Sequence, residues 1–427
     1  MSFSFIQLSL SLIFLATFLA VFFFTDSWFS VARLHTTLWT LLYFGYVIFS
    51  GGDVLDGGGV VWLIFSCLLM LVGEWCADAY VRKHPKTEDL PAKEPTADGR
   101  LRMDRLFTLS VVGFSLLSVI GSISEIYSYG FDLSWLLSAK KILQMSNEVA
   151  NMRYAGIEVP AIVTLLETQK YIASLVGGYY FLRADGKARR ALCFLPVFPI
   201  VLNVLVENTK AGVIACLFLF CIGFAIGYVT KYRRMIRFTT GQAVLVCSLG
   251  GLFLLFLVFA MMIRIGHIDA EAFHAVSEKF IVYAFGNVKA FDVWLSRVYS
   301  FHGWEFGINT FMAPFHVLGL VTRQQGVYDY VPGATSNVFS AYRGVIEDFG
   351  LVGGLAFVFL LGFLGALFIR KLRENPDNVW LKVGYALIAF FLLFGLFVSP
   401  YVYSSHCIAM VEFLAILLTE RWVCRKK

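Results

Sequence analysis

Long apolar runs broken by short polar stretches dominate the chain. A helix that crosses a membrane needs about 20 mostly apolar residues. Runs of that kind fall at roughly 3–24, 37–50, 58–80, 106–123, 159–182, 191–206, 211–230, 239–263, 345–369, 379–399 and 406–420. The pattern predicts an all-α polytopic membrane protein with about eleven transmembrane helices. The alternating ten-residue segments of a membrane barrel are missing. The first run has neither a basic leader nor a small-residue cleavage site, so it reads as a retained helix. Two polar segments are long, 124–158 and 264–344. A third, 81–105, is rich in Lys, Glu, Pro and Asp and reads as a linker. The lack of an internal repeat weighs against the inverted-repeat transporter folds. Residues 1–427 therefore read as a single membrane domain.

Composition agrees with the pattern. The 427 residues are 59% hydrophobic and 15% charged and include 43 Phe, and the mean hydropathy is +0.74. Soluble domains carry about 25% charged residues, so a soluble enzyme and a disordered chain are both excluded. A net charge of +6 is too small and too scattered for nucleic acid. The eight Cys lack metal-site spacing and mostly lie in apolar runs, which makes them reduced, buried thiols.

Basic residues mark the cytoplasmic side of short loops. Alternate loops hold Arg33; Arg82 to Arg105; Arg183 to Arg190; Lys231 to Arg237; Arg370 to Lys382; and Arg421 to Lys427. This puts the C-terminus in the cytoplasm and both long polar segments outside. The linker 81–105 is then cytoplasmic. Lys140, Lys141, Arg153, Lys170, Lys210, Arg264, Lys279, Lys289, Arg297, Arg323 and Arg343 break the trend on the outer side. They need a reason to be there.

The stretch from Arg297 to Arg343 mixes Arg297, His302, Trp304, Glu305, His316, Arg323, Tyr328, Asp329, Tyr330, Asn337 and Arg343 with Gly and Pro. Guanidinium binds phosphate bidentately, and aromatic faces pack on sugar rings. The segment therefore suits a sugar phosphate. A structured loop whose arginines meet lipid phosphates is the plain alternative. Glu347 and Asp348 open the ninth run, where acids also stabilise a helix N-terminus without further purpose. Glu167 and Lys170 stand three apart in the fifth run, as a self-neutralising pair or a functional one. Lys210 sits at a turn near Glu207, either snorkelling or facing a lipid phosphate. His267, Glu271, His274 and Glu278 share one helical face but lack a metalloprotease-type spacing, so they read as the polar face of an interfacial helix. Asp53 and Asp56 in GGDVLDGGG read as turn residues.

The segment GATSNVFSAYRGVIEDFGLVGGLAFVFLLGFL (333–364) resembles the late signature of bacterial oligosaccharide repeat-unit polymerases, the O-antigen polymerase (Wzy) group. YAFGNVKAFDVWL (283–295) is similar to an earlier part of the same outer loop. VLVENTKAGVIACLF (204–218) is similar to a helix mouth that usually carries Arg. There Lys210 keeps the cation and loses the fork. The resemblance is carried mainly by the C-terminal half. It implies a GT-C-like membrane enzyme of the bacterial inner membrane with its active site facing the periplasm. The implied reaction transfers a growing glycan from undecaprenyl diphosphate to the non-reducing end of a new lipid-linked repeat unit. No metal or cofactor is implied. Partners would be the undecaprenyl-diphosphate-linked oligosaccharide, membrane lipids and a chain-length regulator.

Under that resemblance Arg264, Arg297, Arg323 and Arg343 form a cationic cradle for the departing diphosphate, with Lys210 and Arg153 behind them. Asp348, Glu347, His302 or His316 would be base or orienter. Trp304, Tyr328 and Tyr330 would contact sugar, with Glu305 and Asn337 beside them. Three rivals remain at this stage: an O-antigen ligase, a lipid or solute transporter, and a membrane scaffold. Paired broken helices with polar residues in both halves would favour the transporter.

Overall fold

The computed structural model describes residues 5–425 apart from 26, 28–29, 50–52, 85–96, 208–209, 238, 266–269, 323–327, 329–330, 335 and 337. The described residues are mostly helical and contain no strand. The helices run, in order, α1 Phe5–Phe23, α2 Val31–Phe49, α3 Gly58–Lys83, α4 Ala97–Ser128, α5 Ala139–Tyr154, α6 Ala161–Glu167, α7 Lys170–Phe181 and α8 Lys187–Leu192. They continue as α9 Val197–Val206, α10 Lys210–Tyr232, α11 Thr240–Ile265, α12 Ala270–Val293, α13 Met312–Val317, α14 Ala341–Glu374, α15 Val379–Phe394 and α16 Ser404–Arg425.

Among the described residues, six stretches are long and apolar enough to cross a membrane: Phe5–Phe23, Gly58–Lys83, Gly99–Ser128, Lys187–Val206, Lys210–Tyr232 and Ala341–Glu374. Large side chains such as Phe5, Leu109, Leu252 and Val352 stand exposed on these and neighbouring helices, as lipid contact allows and water does not. The chain is an all-α, multi-pass membrane protein. Each apolar run of the sequence holds at least part of one of these helices among the described residues.

The polar segments are more ordered than their composition suggests. Residues 264–344 contain α12, whose 24 residues end in a buried face of Val288, Ala290, Phe291 and Val293. Lys289 and Asp292 lie on that stretch and mask its helical period in the sequence. Residues 124–158 contain the end of α4, a 3-10 turn at Leu133–Leu137 and α5. In 81–105, α3 reaches Lys83 and α4 begins at Ala97. The middle of that linker lies outside the described residues.

Contacts divide the chain into two compact units. The first holds Met1–Asp89, Arg233–Arg237 and Lys279–Cys407. Its centre is the pair α3 and α14. Gly73 and Gly362 let the two backbones meet, since a Cβ at either would strike backbone of the facing helix. Trp39, Tyr43, Trp62, Phe291, Phe339 and Tyr342 fill the core beside them. The second holds Leu90–Tyr232, Phe238–Glu278 and Ile408–Lys427. There α7 and α10 interlock through Gly178 and Gly223, each lying against a facing carbonyl. Between α6 and α7 the ladder tightens: Gln169 N bonds Leu166 O at 3.2 Å and Tyr171 N bonds Thr168 O at 3.1 Å. Such i to i+3 bonds interrupt an α-helix without ending it.

Candidate functional site

The best-formed polar site of the first unit lies where α14 begins. Ser340 caps the helix by accepting from Tyr342 N at 3.3 Å. Tyr342 then points inward, and its hydroxyl meets His35 Nδ1 at 3.2 Å. The next residue, Arg343, faces a box of rings. Its guanidinium lies 4.3 Å from the Tyr328 ring, 4.4 Å from Phe339 and 5.2 Å from Trp294. One helical turn on, Glu347 Oε1 accepts from Arg343 Nε at 2.9 Å. Only 11% of the Arg343 side chain is exposed. Its Nη1 is enclosed and has no hydrogen-bond partner. The cation is thus held by rings and one carboxylate while part of its fork is unclaimed. Burial, and then the Glu347 charge, push the Tyr328 phenol up, so it stays neutral beside the arginine.

Asp348 is fully buried. Its carboxylate accepts from Asn309 N at 2.9 Å, Thr310 N at 2.8 Å and the Thr310 hydroxyl. Its carbonyl accepts from Glu305 N at 3.0 Å. The Thr310 carbonyl in turn accepts from Ser399 Oγ at 2.6 Å. Asp348 therefore pins the segment 305–310 and presents no unoccupied oxygen to a substrate. Two residues later Gly350 has φ 73° and ψ 175°, a conformation that essentially only glycine adopts. α14 is broken there, with Phe301 packed against the break.

A second anchor lies in the same unit. Asp292, fully buried in α12, accepts from Asp56 N at 2.6 Å, Gly57 N at 3.0 Å and Gly59 N at 2.8 Å. These are orphan N–H groups at the start of α3. Burial nonetheless raises the Asp292 carboxyl, against the pull of those donors. Arg297 Nη2 bonds Asp56 Oδ1 at 2.6 Å. The buried Lys289 meets Asp53 Oδ1 at 3.3 Å and the Val54 carbonyl, and Tyr46 donates to Asp53 Oδ2 at 2.8 Å. A single π-turn, Trp294–Val298, carries both Trp294 of the Arg343 box and Arg297.

The remaining expected residues of this segment are exposed. His302 pairs with Ser300 Oγ at 2.7 Å. His316 Nδ1 meets the Val321 carbonyl at 3.1 Å. Trp304 is 63% exposed and stacks edgewise on Phe306. Glu305 accepts from Asn309 Nδ2. Arg323, Tyr330 and Asn337 lie outside the described residues, as does the side chain of Arg264, whose backbone ends α11. Of the expected cradle, Arg343 meets the ring of Trp294, which shares its π-turn with Arg297, while Arg297 itself pairs with Asp56.

In the second unit, Arg153 Nη1 lies 3.6 Å from Glu207 Oε1, and Asn203 Nδ2 donates to Glu207 Oε2 at 3.1 Å. Burial alone would raise Glu207. The influence of neighbouring Glu125, the charges of Arg153 and Lys170, and Asn203 outweigh it and hold the carboxyl at about 2. Lys170 and Glu167 form a buried ion pair at the α6–α7 turn. Lys210 opens α10, half-buried.

Glu271, His274 and Glu278 are exposed, with His274 Nδ1 3.7 Å from Glu278 Oε1. Among the described residues no three His, Cys, Asp or Glu side chains converge as a metal site requires.

The sequence reading missed Asp292, Trp294, Thr310 and Ser399. It also took Asp53 and Asp56 for turn residues, although each pairs with a cation. The signal was present in part: an Asp within an apolar helical face, as at 292, has to be paired. Comparison with protein-family models, with curated proteins and with solved structures finds no match.

Proposed function

We propose that the chain is a membrane glycosyltransferase of the oligosaccharide repeat-unit polymerase type, working on polyprenyl-diphosphate-linked glycans at the periplasmic face. The observation that carries the proposal is Arg343. A buried arginine, ringed by Tyr328, Phe339 and Trp294, keeps Nη1 without a partner. A fixed cation of that kind suits an anion that arrives with the substrate. In the proposed step the acceptor hydroxyl oxygen bonds to the anomeric carbon and the carbon–oxygen bond to the diphosphate breaks. Arg343, with Arg297 and Arg323, stabilises the charge left on the diphosphate. The hydroxyl proton passes to an exposed base, for which Glu305, His302 and His316 are the candidates, since Asp348 is engaged in holding the loop. Trp304 offers an exposed ring face for sugar. The full count of eleven crossings, the GT-C-like arrangement and a cytoplasmic C-terminus belong to the same proposal.

One observation favours a second reading, transport of a lipid or solute. Each unit contains an interrupted helix, at Gly350 and at the α6–α7 turn, with charged residues close by. Interrupted helices of this sort line many transport sites.

The test is deletion of the gene in its native host, with the surface polysaccharide resolved as a ladder and the lipid-linked pool analysed by mass. Core plus a single repeat, restored by wild type and not by Arg343→Ala at equal membrane level, supports the polymerase. Accumulated lipid-linked polymer without decorated core replaces it with the ligase. Lipid-linked single units trapped on the cytoplasmic side replace it with transport. An unchanged ladder overturns both enzyme readings.

A further inference from the structure

We infer that the stretch from Lys187 to Val201 binds one anionic phospholipid, with the phosphate on Lys187 and Arg190 and an acyl chain in the groove beside them. The groove is an open cavity of about 510 Å3 on α8 and α9. Ala191, Phe194, Val197, Phe198 and Val201 line it, and Phe198 is 61% exposed. It lies on Lys187–Val206, a stretch long and apolar enough to cross a membrane. Lipid, and not water, suits such a face.

The groove has a local cause. Pro196 has no N–H to continue the α-helical ladder. Phe194 N bonds Ala191 O at 3.0 Å, Leu195 N bonds Leu192 O at 2.9 Å and Val197 N bonds Phe194 O at 3.0 Å. Bonds of this i to i+3 kind eclipse side chains three apart, which lines up positions 191, 194 and 197. Phe194 is fixed as a wall by the rings of Phe181 and Phe220, each with its centroid 5.3 Å away. From Ala191 to Val201 a helix rises about 15 Å, half of the roughly 30 Å hydrocarbon core. The groove thus has the depth of one leaflet.

Charge decides the headgroup. Lys187 and Ala191 stand four apart, as do Arg190 and Phe194, so both cations sit at the end of the apolar line. The other arginines of this turn are committed: Arg183 Nη2 bonds Glu420 Oε1 and Arg189 Nη1 bonds Asp104 Oδ2, each at 2.6 Å. Arg190 uses only Nε, on the Ala184 carbonyl at 3.3 Å. Its two Nη groups, and Lys187 Nζ, have no protein partner among the described residues. Asp185, the acid of the same turn, still leaves this end positive. The unclaimed edge of a guanidinium suits phosphate, and a zwitterionic headgroup, which carries its own cation, gains less. The site lies within the second unit, and the inference does not depend on glycan transfer.

The test is native mass spectrometry of the full chain in detergent with phosphatidylglycerol, phosphatidylcholine or inorganic phosphate added. One phosphatidylglycerol should be retained in preference to phosphatidylcholine. Each cation near an anionic headgroup contributes about fivefold, so Lys187→Gln with Arg190→Gln should weaken retention about 30-fold. Lys140→Gln with Lys141→Gln removes the same charge elsewhere in the unit and should leave retention as in wild type. Val201→Trp, which fills the groove, should release the lipid. Equal retention of the two lipids, an equal loss in the control, or full retention in either site variant would each overturn the proposal. Displacement of the lipid by inorganic phosphate at equal concentration would overturn it too, by making this a free-anion site. If the variants do not fold, phosphatidylglycerol with a photoactivatable acyl chain decides the matter on wild type. Adducts should fall within 191–201, and adducts spread evenly over the spans would refute the site.

Discussion

Replacing Asp292 by Ala should destabilise the first unit through the start of α3. The carboxylate accepts from four backbone N–H groups, and the bonds to Gly57, Gly59 and Val60 are buried. A buried donor left unsatisfied costs about 1–3 kcal/mol. Three such donors give about 3–9 kcal/mol, toward the lower end where water enters the vacated space. That corresponds to a fall in melting temperature on the order of 10 °C. Asp292→Asn keeps one acceptor oxygen and turns an NH2 toward an N–H, so roughly half the loss is expected. The assay is thermal unfolding in nanodiscs, with mass-resolved alkylation of Cys67 as a local reporter. Cys67 is completely buried in α3, so fraying of that helix should speed its labelling. An Asp292→Ala protein that melts within about 2 °C of wild type, with Cys67 still protected, would refute the claim that this carboxylate holds the helix end.

Other outcomes follow from the same geometry. Gly350→Ala should lose about 1–3 kcal/mol, because its φ of 73° with ψ of 175° excludes a Cβ; a melting curve like that of wild type would show that the break is not required. Gly178→Ala should lower the melting temperature through the α7–α10 contact, where a Cβ strikes the Phe220 carbonyl; overpacking of this kind costs about 1–3 kcal/mol. Arg343→Lys keeps the charge and loses the planar fork on three rings, so glycan chain length in cells should fall sharply at unchanged membrane level, and a normal ladder would count against the Arg343 site. Glu207 sits at about 2 in place of the ordinary 4.5. The folded state binds that proton less readily than the unfolded chain, so the stabilisation is present above pH 4.5 and lost as pH falls toward 2. Melting curves of Glu207→Gln should show less acid destabilisation across that window than wild type.

The helices were legible because apolar runs long enough to span a bilayer leave few alternatives. The polar residues were less so, for a definite reason. Charge along a sequence marks where polarity occurs and not which groups meet. Arg297 and Arg343 are 46 residues apart, and only folding puts them at either end of a route through Trp294. The GGDVLDGGG loop showed its glycines plainly. Its function as a socket for Asp292 depends on a residue 233 positions beyond Gly59. Asp348 was recognised as noteworthy from its place beside Arg343, and its buried loop-holding contacts were invisible in one dimension. Segment 279–293 read as loop because Lys279, Lys289 and Asp292 diluted an apolar helical face.

The two interrupted helices differ in what their neighbouring charges leave open. At the Gly350 break the neighbouring cation is tied to one carboxylate through Nε and to aromatic faces, and Nη1 is enclosed without a partner. At the α6–α7 turn the neighbouring Lys170 is already matched by Glu167 within the turn itself. A self-neutralised pair has little left for an incoming anion, whereas an incompletely bonded guanidinium does. Under the proposed function, the first unit is therefore where an anionic substrate would meet an incompletely bonded cation. Charge-neutral replacement tests that contrast. Glu167→Gln with Lys170→Met, which removes both charges of the pair, should leave glycan chain growth unchanged at normal folding. If the double variant instead abolished glycan chain growth at normal folding, the α6–α7 pair would belong to the substrate path, and the transport reading would gain what the transferase reading lost.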